Sequence, residues 1–174
     1  MFFHVRDLEI RAGRFDVELA PGVVDLLDPK LNQIGPLAAS GKVELVSESI
    51  GEIRVKGHLK VRVTADCDRC LEPAEHAVDS DFELFFRPVE GGFGGEQALD
   101  EGETEVGFYD GDGLELDDVL REFVLLSLPM QRVCRESCKG ICPSCGRNRN
   151  QGECGCQTEQ ADDRWSALRE LKSS

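Results

Sequence analysis

The sequence predicts an α+β fold in which an antiparallel β-sheet carries a packed core helix and a small cysteine-rich module follows. Three observations predict it. Ile53, Val55, Leu59, Val61 and Val63 occupy odd positions while Arg54, Lys56, His58, Lys60 and Arg62 occupy even ones, the period of a half-buried strand. Leu116, Val119, Leu120, Phe123 and Val124 share one face at helical spacing. Six of the eight cysteines fall between Cys134 and Cys156. A chain of 174 residues has room for one core and an appendage, here divided into a main domain, 1–131, and a Cys-rich module with a C-terminal helix, 132–174.

In chain order, residues 2–5 and 15–19 read as short strands. Pro21, Pro29 and Pro36, with Gly22, Gly35 and Gly41, mark a connection that holds at most a turn of helix around residues 23–27. Residues 43–50 form the next strand, Gly51 turns the chain, and the alternating strand follows. Beyond Cys70, Val78, Phe82, Leu84 and Phe86 resume the alternation, so the sheet is expected to be an antiparallel meander. The run GGFGGE at 91–96 is a flexible loop; it lacks the Lys-Ser/Thr ending of a P-loop. In the core helix, Asp117 and Asp118 suit the positive N-terminal end and Pro129 stops the helix. Residues 162–171 show a short amphipathic pattern with Trp165, Leu168 and Leu171 on one side.

Arg6, Asp7, Glu9 and Arg11 deny the N-terminus the apolar core of a signal peptide, and no run of about 18 apolar residues exists to span a membrane. A cytoplasmic protein is expected. In a reducing compartment, clustered cysteines point to metal rather than to disulfides. The net charge is −14, and residues 79–118 hold fourteen acidic side chains against Arg87 alone. Such a segment attracts basic proteins and repels phosphate, or is simply a solvated and partly disordered loop. The basic row at 54–62 either lies along a phosphate backbone or is a solvated face balanced by Glu44, Glu48 and Glu52.

Eight thiols fill two tetrahedral four-thiolate zinc sites without remainder. Cys142-Pro-Ser-Cys145-Gly146 has the shape of a zinc-ribbon knuckle, and Cys154-Gly-Cys156 supplies a second pair after an eight-residue excursion. Cys134 and Cys138, four residues apart, face one way on a helical turn, and Cys67-Asp-Arg-Cys70, between two strands, is their complement. Arg135, Lys139, Arg147 and Arg149 either offset the negative charge of the thiolates or touch phosphate. All-cysteine coordination leaves no open position for water, and His4, His58 and His76 are isolated in sequence, so no enzyme is expected. A thioredoxin-like use of Cys67 and Cys70 would need the pair to open a helix, and here β-patterned runs flank it.

On these residues the chain resembles the YceD family. The likeness rests on Cys67-Asp-Arg-Cys70-Leu71, on Leu128-Pro129, on Cys134-Arg-Glu-Ser-Cys138-Lys-Gly-Ile-Cys142-Pro-Ser-Cys145-Gly146, on Cys154-Gly-Cys156 and on Asp163-Arg164. It covers roughly residues 40–172. Where the family carries asparagine-leucine-asparagine after the knuckle, this chain has Asn148-Arg149-Asn150. The resemblance implies an accessory factor for the large ribosomal subunit, supporting accumulation or processing of 23S rRNA. Its expected partner is the rRNA, through Arg54, Lys56, Lys60, Arg62, Arg147 and Arg149, or a basic ribosomal protein held by the acidic segment. A redox-responsive zinc protein or chaperone is the alternative.

Overall fold

The computed structural model describes residues 1–47, 51–89 and 106–156. In chain order the elements are β1 (Phe2–His4), α1 (Val5–Ile10), β2 (Gly13–Leu19), β3 (Asn32–Gln33), β4 (Leu37–Leu45), β5 (Ile53–Asp66), β6 (Pro73–Pro88), β7 (Val106–Tyr109), β8 (Gly113–Glu115) and α2 (Leu116–Ser127). The architecture is mixed α and β, a main sheet with few helices. The main sheet runs β2-β4-β5-β6-β7, with β3 added beside β5, while β1 and β8 form a separate two-stranded ribbon.

The long hairpin of β5 and β6 is the spine, paired from Ile53 with Phe86 to Asp66 with Pro73. On its inner face Ile53, Val55, Leu59, Val61 and Val63 are buried, as the alternation predicts, together with Val78, Phe82 and Phe86. Helix α2 closes this face with Leu116, Val119, Leu120 and Val124, and Phe123 lies against Phe82 with ring centroids 4.8 Å apart. Each large aliphatic side chain so buried contributes about 1.5–3 kcal/mol. Both the strand and the helix stand where the sequence puts them, and Leu128 and Pro129 follow the last helical turn.

Four features differ from the expected order. Residues 37–41 are not connection but the first half of β4. Gly41 pairs with both Phe15 and Gly57, and Gly57 pairs with Phe82, so one row across four strands reads Phe15, Gly41, Gly57, Phe82. A Cβ on Gly41 would stand 2.3 Å from the Lys56 carbonyl oxygen and 2.6 Å from the Phe15 ring. The glycines are there because the two rings fold over them, not because the chain turns. Second, Val5 opens α1 instead of ending a strand; with Leu8 as its one buried side chain, six residues give no periodic signal. Third, the sheet is a meander only from β4 to β6, since β7 joins β6 in parallel. Fourth, the acidic run begins inside the sheet: Asp79, Asp81 and Glu83 stand on the outer face of β6, opposite the β5 cations. Residues 90–105 of the acidic segment, the GGFGGE run among them, Glu48 and residues 162–171 lie outside the described residues. Among the described residues no helix is long and apolar enough to cross a membrane.

Candidate metal centres

The β5–β6 hairpin ends in a turn, and that turn presents two sulfurs. The amide of Leu71 donates to the Cys67 carbonyl at 2.9 Å, and Cys67 donates to the carbonyl of Glu72 at 2.8 Å. The turn requires a left-handed residue just after its second cysteine, and Leu71 supplies it at φ 62°. The two residues between the cysteines bind the chain that follows α2. Asp68 accepts from the Arg132 amide at 2.6 Å and donates its own amide to the Arg132 carbonyl at 2.8 Å. The Arg69 guanidinium donates to the Glu136 carbonyl at 3.2 Å and to Gln131 Oε1 at 3.1 Å. The Arg69 carbonyl in turn accepts from Ile141 at 2.9 Å. Residues 131–141 are thereby strapped to the hairpin tip.

This strap brings Cys134 and Cys138 to Cys67 and Cys70. The Cys138 amide donates to the Arg135 carbonyl at 3.0 Å, so a tight turn, not the expected helical turn, directs both sulfurs one way. Cys67 and Cys138 stand 3.9 Å apart at sulfur, Cys70 and Cys134 3.7 Å, and all four lie within 4.8 Å of one another. A tetrahedral zinc site with Zn–S of about 2.3 Å demands sulfurs about 3.8 Å apart.

The second cluster repeats the turn. The Gly146 amide donates to the Cys142 carbonyl at 2.8 Å, with Gly146 at φ 71°, the counterpart of Leu71. The excursion 146–153 folds back through a bridge between Ile141 and Asn148, and Cys154 and Cys156 then meet Cys142 and Cys145 within 4.8 Å. Among the described residues these two groups of four are the ones whose ligand atoms converge in this way, and they are grouped as the spacing predicts. Burial separates them: Cys67, Cys70 and Cys138 are buried in the first, only Cys142 in the second.

The electrostatics of the two clusters ask for a cation. Burial pushes the Cys67 thiol up, but amide donors from Cys134, Arg69 and Cys70 overcome it and hold the pKa at about 6. Cys70 receives a lowering hydrogen bond from the Glu72 amide, yet burial and the neighbouring cysteines push it up to about 12. Amide donors from Cys145 and Ser144 hold Cys142 at about 6, while Cys145 and Cys154 drive Cys156 up to about 12. Cys138 is also held below its ordinary value, first by the Asn150 side chain, but each thiolate formed in a cluster makes the next costly. A dication at the centre removes that repulsion and lets all four ionise. The donor set therefore fits zinc, which would supply a cross-link and no open position for chemistry.

The expected nucleic-acid residues divide into two groups. On the sheet, Arg54 Nε lies 2.9 Å from Glu44 and its Nη1 3.5 Å from Glu83; Lys56 reaches Glu83 at 3.9 Å and Lys60 reaches Asp79 at 2.7 Å. His58 sits between Asp79 and Asp81, 3.0 Å from each. Most of that basic row is thus neutralised by β6, with Glu44 contributing from β4; Glu52 is bonded to Arg87. Arg62, Arg147 and Arg149 have no ion-pair partner among the described residues, and the last two are exposed beside the second cluster. The groups that spacing did not single out are Asp68, Arg69, Arg132 and Asn150, which position the sulfurs without being ligands.

A mixed α/β protein whose sheet hairpin and trailing chain converge on paired four-cysteine centres is the class that fold and site define. The family model described as Large ribosomal RNA subunit accumulation protein YceD matches residues 55–172, and the chain belongs to that family. An uncharacterized protein of Mycobacterium tuberculosis is 35% identical over 133 residues, which is 75% of this chain and 59% of that protein. The chloroplastic large ribosomal RNA subunit accumulation protein YCED homolog 1 of Arabidopsis thaliana is 26% identical over 70% of this chain and 44% of its own length. Its counterpart in Zea mays is 26% identical over 84% of this chain and 57% of its own. The chain thus spans about half the length of these relatives. No solved structure matches it.

Proposed function

We propose that the protein is a non-enzymatic, zinc-stabilised accessory factor of large ribosomal subunit biogenesis that supports accumulation of 23S rRNA in the cytoplasm. The observation that carries this reading is membership of the YceD family, whose chloroplast relatives are named for that role. Zinc holds the two four-cysteine centres, the second as a small ribbon-like knuckle, and takes no part in bond making. The partner is the rRNA or a basic ribosomal protein. The charge pattern supports protein contact: Arg54, Lys56 and Lys60 on the sheet are occupied by its own carboxylates, Arg62 alone of that row lacking a partner among the described residues, and the largest single-sign run, 79–118, is acidic. A specific observation favours RNA contact at the other end, where Arg147 and Arg149 stand exposed with no carboxylate partner among the described residues.

Gradient sedimentation of the tagged protein from gently lysed cells, with and without ribonuclease, tests the proposal. Comigration with large-subunit precursors is expected. Release by ribonuclease assigns the contact to RNA, and retention assigns it to protein. A protein that stays at the top of both gradients overturns the assembly role and leaves the redox-responsive zinc protein or chaperone in its place.

A further inference from the structure

The two clusters meet at one side chain. Asn150 lies in the excursion between the halves of the second cluster, yet its amide nitrogen donates to the Cys138 sulfur of the first at 3.3 Å. Its carbonyl oxygen accepts from the Lys139 amide at 2.9 Å, so the same side chain grips the residue beside the ligand. Three further bonds fix its position. The Asn150 amide donates to Asn148 Oδ1 at 2.9 Å, Arg149 donates to the Gly140 carbonyl at 2.9 Å, and the Gln151 side chain donates to Glu72 at 2.8 Å. Gly140, at φ 70°, lets the chain pass close to the first knuckle: a Cβ there would stand 2.9 Å from the Arg69 carbonyl oxygen.

We infer that Asn150 makes the first metal centre depend on the second. A neutral amide is the right donor for a metal-bound thiolate: it stabilises the charge without competing for the ion, as outer-shell partners of ligands do. Asn150 is held there only while the excursion 146–153 is folded, and the excursion is closed by Cys142 and Cys145 on one side and Cys154 and Cys156 on the other. Filling the second centre therefore tightens the first, and by reciprocity the first tightens the second. The inference rests on the reading of both clusters as metal centres.

The test is chelator competition on the full-length zinc-loaded protein, recording the free-zinc level at which each ion leaves. The first-centre ion is identified as the one retained in the Cys142→Ser, Cys145→Ser double variant. Loss of an outer-shell bond weakens metal affinity about 10- to 100-fold. Asn150→Ala is expected to shift the first-centre ion by that factor, and the double variant to shift it similarly. Combining the two should add little, because both remove the same contact. Asn150→Asp, which keeps the acceptor for Lys139 and loses the donor to sulfur, should also weaken the first centre. Cobalt(II) loading of each variant, read by the absorption of a tetrathiolate site, checks that the centre still assembles. First-centre affinity unchanged in Asn150→Ala, restored in Asn150→Asp, or lowered additively in the combined variant overturns the coupling alone. A wild-type protein that binds zinc at neither centre overturns the metal reading and the coupling together.

Discussion

Leu71 and Gly146 occupy equivalent places after the two knuckles, and only one of them suits the backbone. A side chain in the left-handed region costs about 1–2 kcal/mol, whereas glycine gives back about 0.5–1 kcal/mol through the freedom of its unfolded state. Leu71 is 62% exposed, so it has little packing to lose. Leu71→Gly should therefore leave stability unchanged or raise it by up to about 1 kcal/mol in urea denaturation; a clear loss would mean that the leucine packs against something at the hairpin tip. The grouping of the eight cysteines into two fours was legible because spacing within each pair is a local property and eight thiols divide into two fours without remainder. Asp68, Arg69 and Asn150 were not. Arg69 meets Gln131 and Glu136, 62 and 67 residues away, and no short window of sequence contains both partners.

Among the elements, β5, β6 and α2 were legible, since long runs of period two and a clean helical face report burial directly. The start of β4 was hidden by Gly41, a residue that marks turns elsewhere and here makes room for Phe15. Gly41→Ala should cost about 1–3 kcal/mol, typical of an overpacked interior, read as a lower urea midpoint with unchanged slope. Parallel pairing of β7 was hidden because residues 90–105 lie between it and β6, and a connection of that length permits either direction. One ion pair binds the long connection before β4 to the strap after α2: Arg132 lies 2.9 Å from Asp28 and holds its carboxyl below the usual range. A depressed carboxyl stabilises the fold above its unfolded pKa of about 3.8, and the contribution disappears as pH falls through the lower folded value. Asp28→Asn should thus lower the melting temperature at neutral pH and converge with wild type in acid. Equal offsets at both pH values would show that the pair carries no charge linkage.

At the scale of the molecule, the first centre joins the sheet to the strap while the second joins only neighbouring residues. Cys67→Ser should remove one zinc and lower the melting temperature of the whole domain. In excess zinc, Cys154→Ser should remove one ion and leave the sheet's transition nearly in place. Calorimetry with metal analysis separates them, and equal global damage would show that the centres share one folding unit. The thiolates that form most easily, at Cys67 and Cys142, do so near pH 6, and protons compete for every ligand below that. Zinc affinity should fall steeply on acidification, and a flat profile from pH 7 to about 5 would contradict thiolate ligation. The two centres also differ in when they can exist. Cys70 and Cys134 are 64 residues apart, so at about 5–20 residues per second the hairpin's two thiols leave the synthesising ribosome roughly 3–13 s before their partners. All four cysteines of the second centre emerge within the 15 residues 142–156, roughly 1–3 s of synthesis. During translation the tip of the central hairpin is an unfinished chelate, open to oxidants and to the wrong ion, and its completion has to wait for the very segment whose own centre closes almost as soon as it appears.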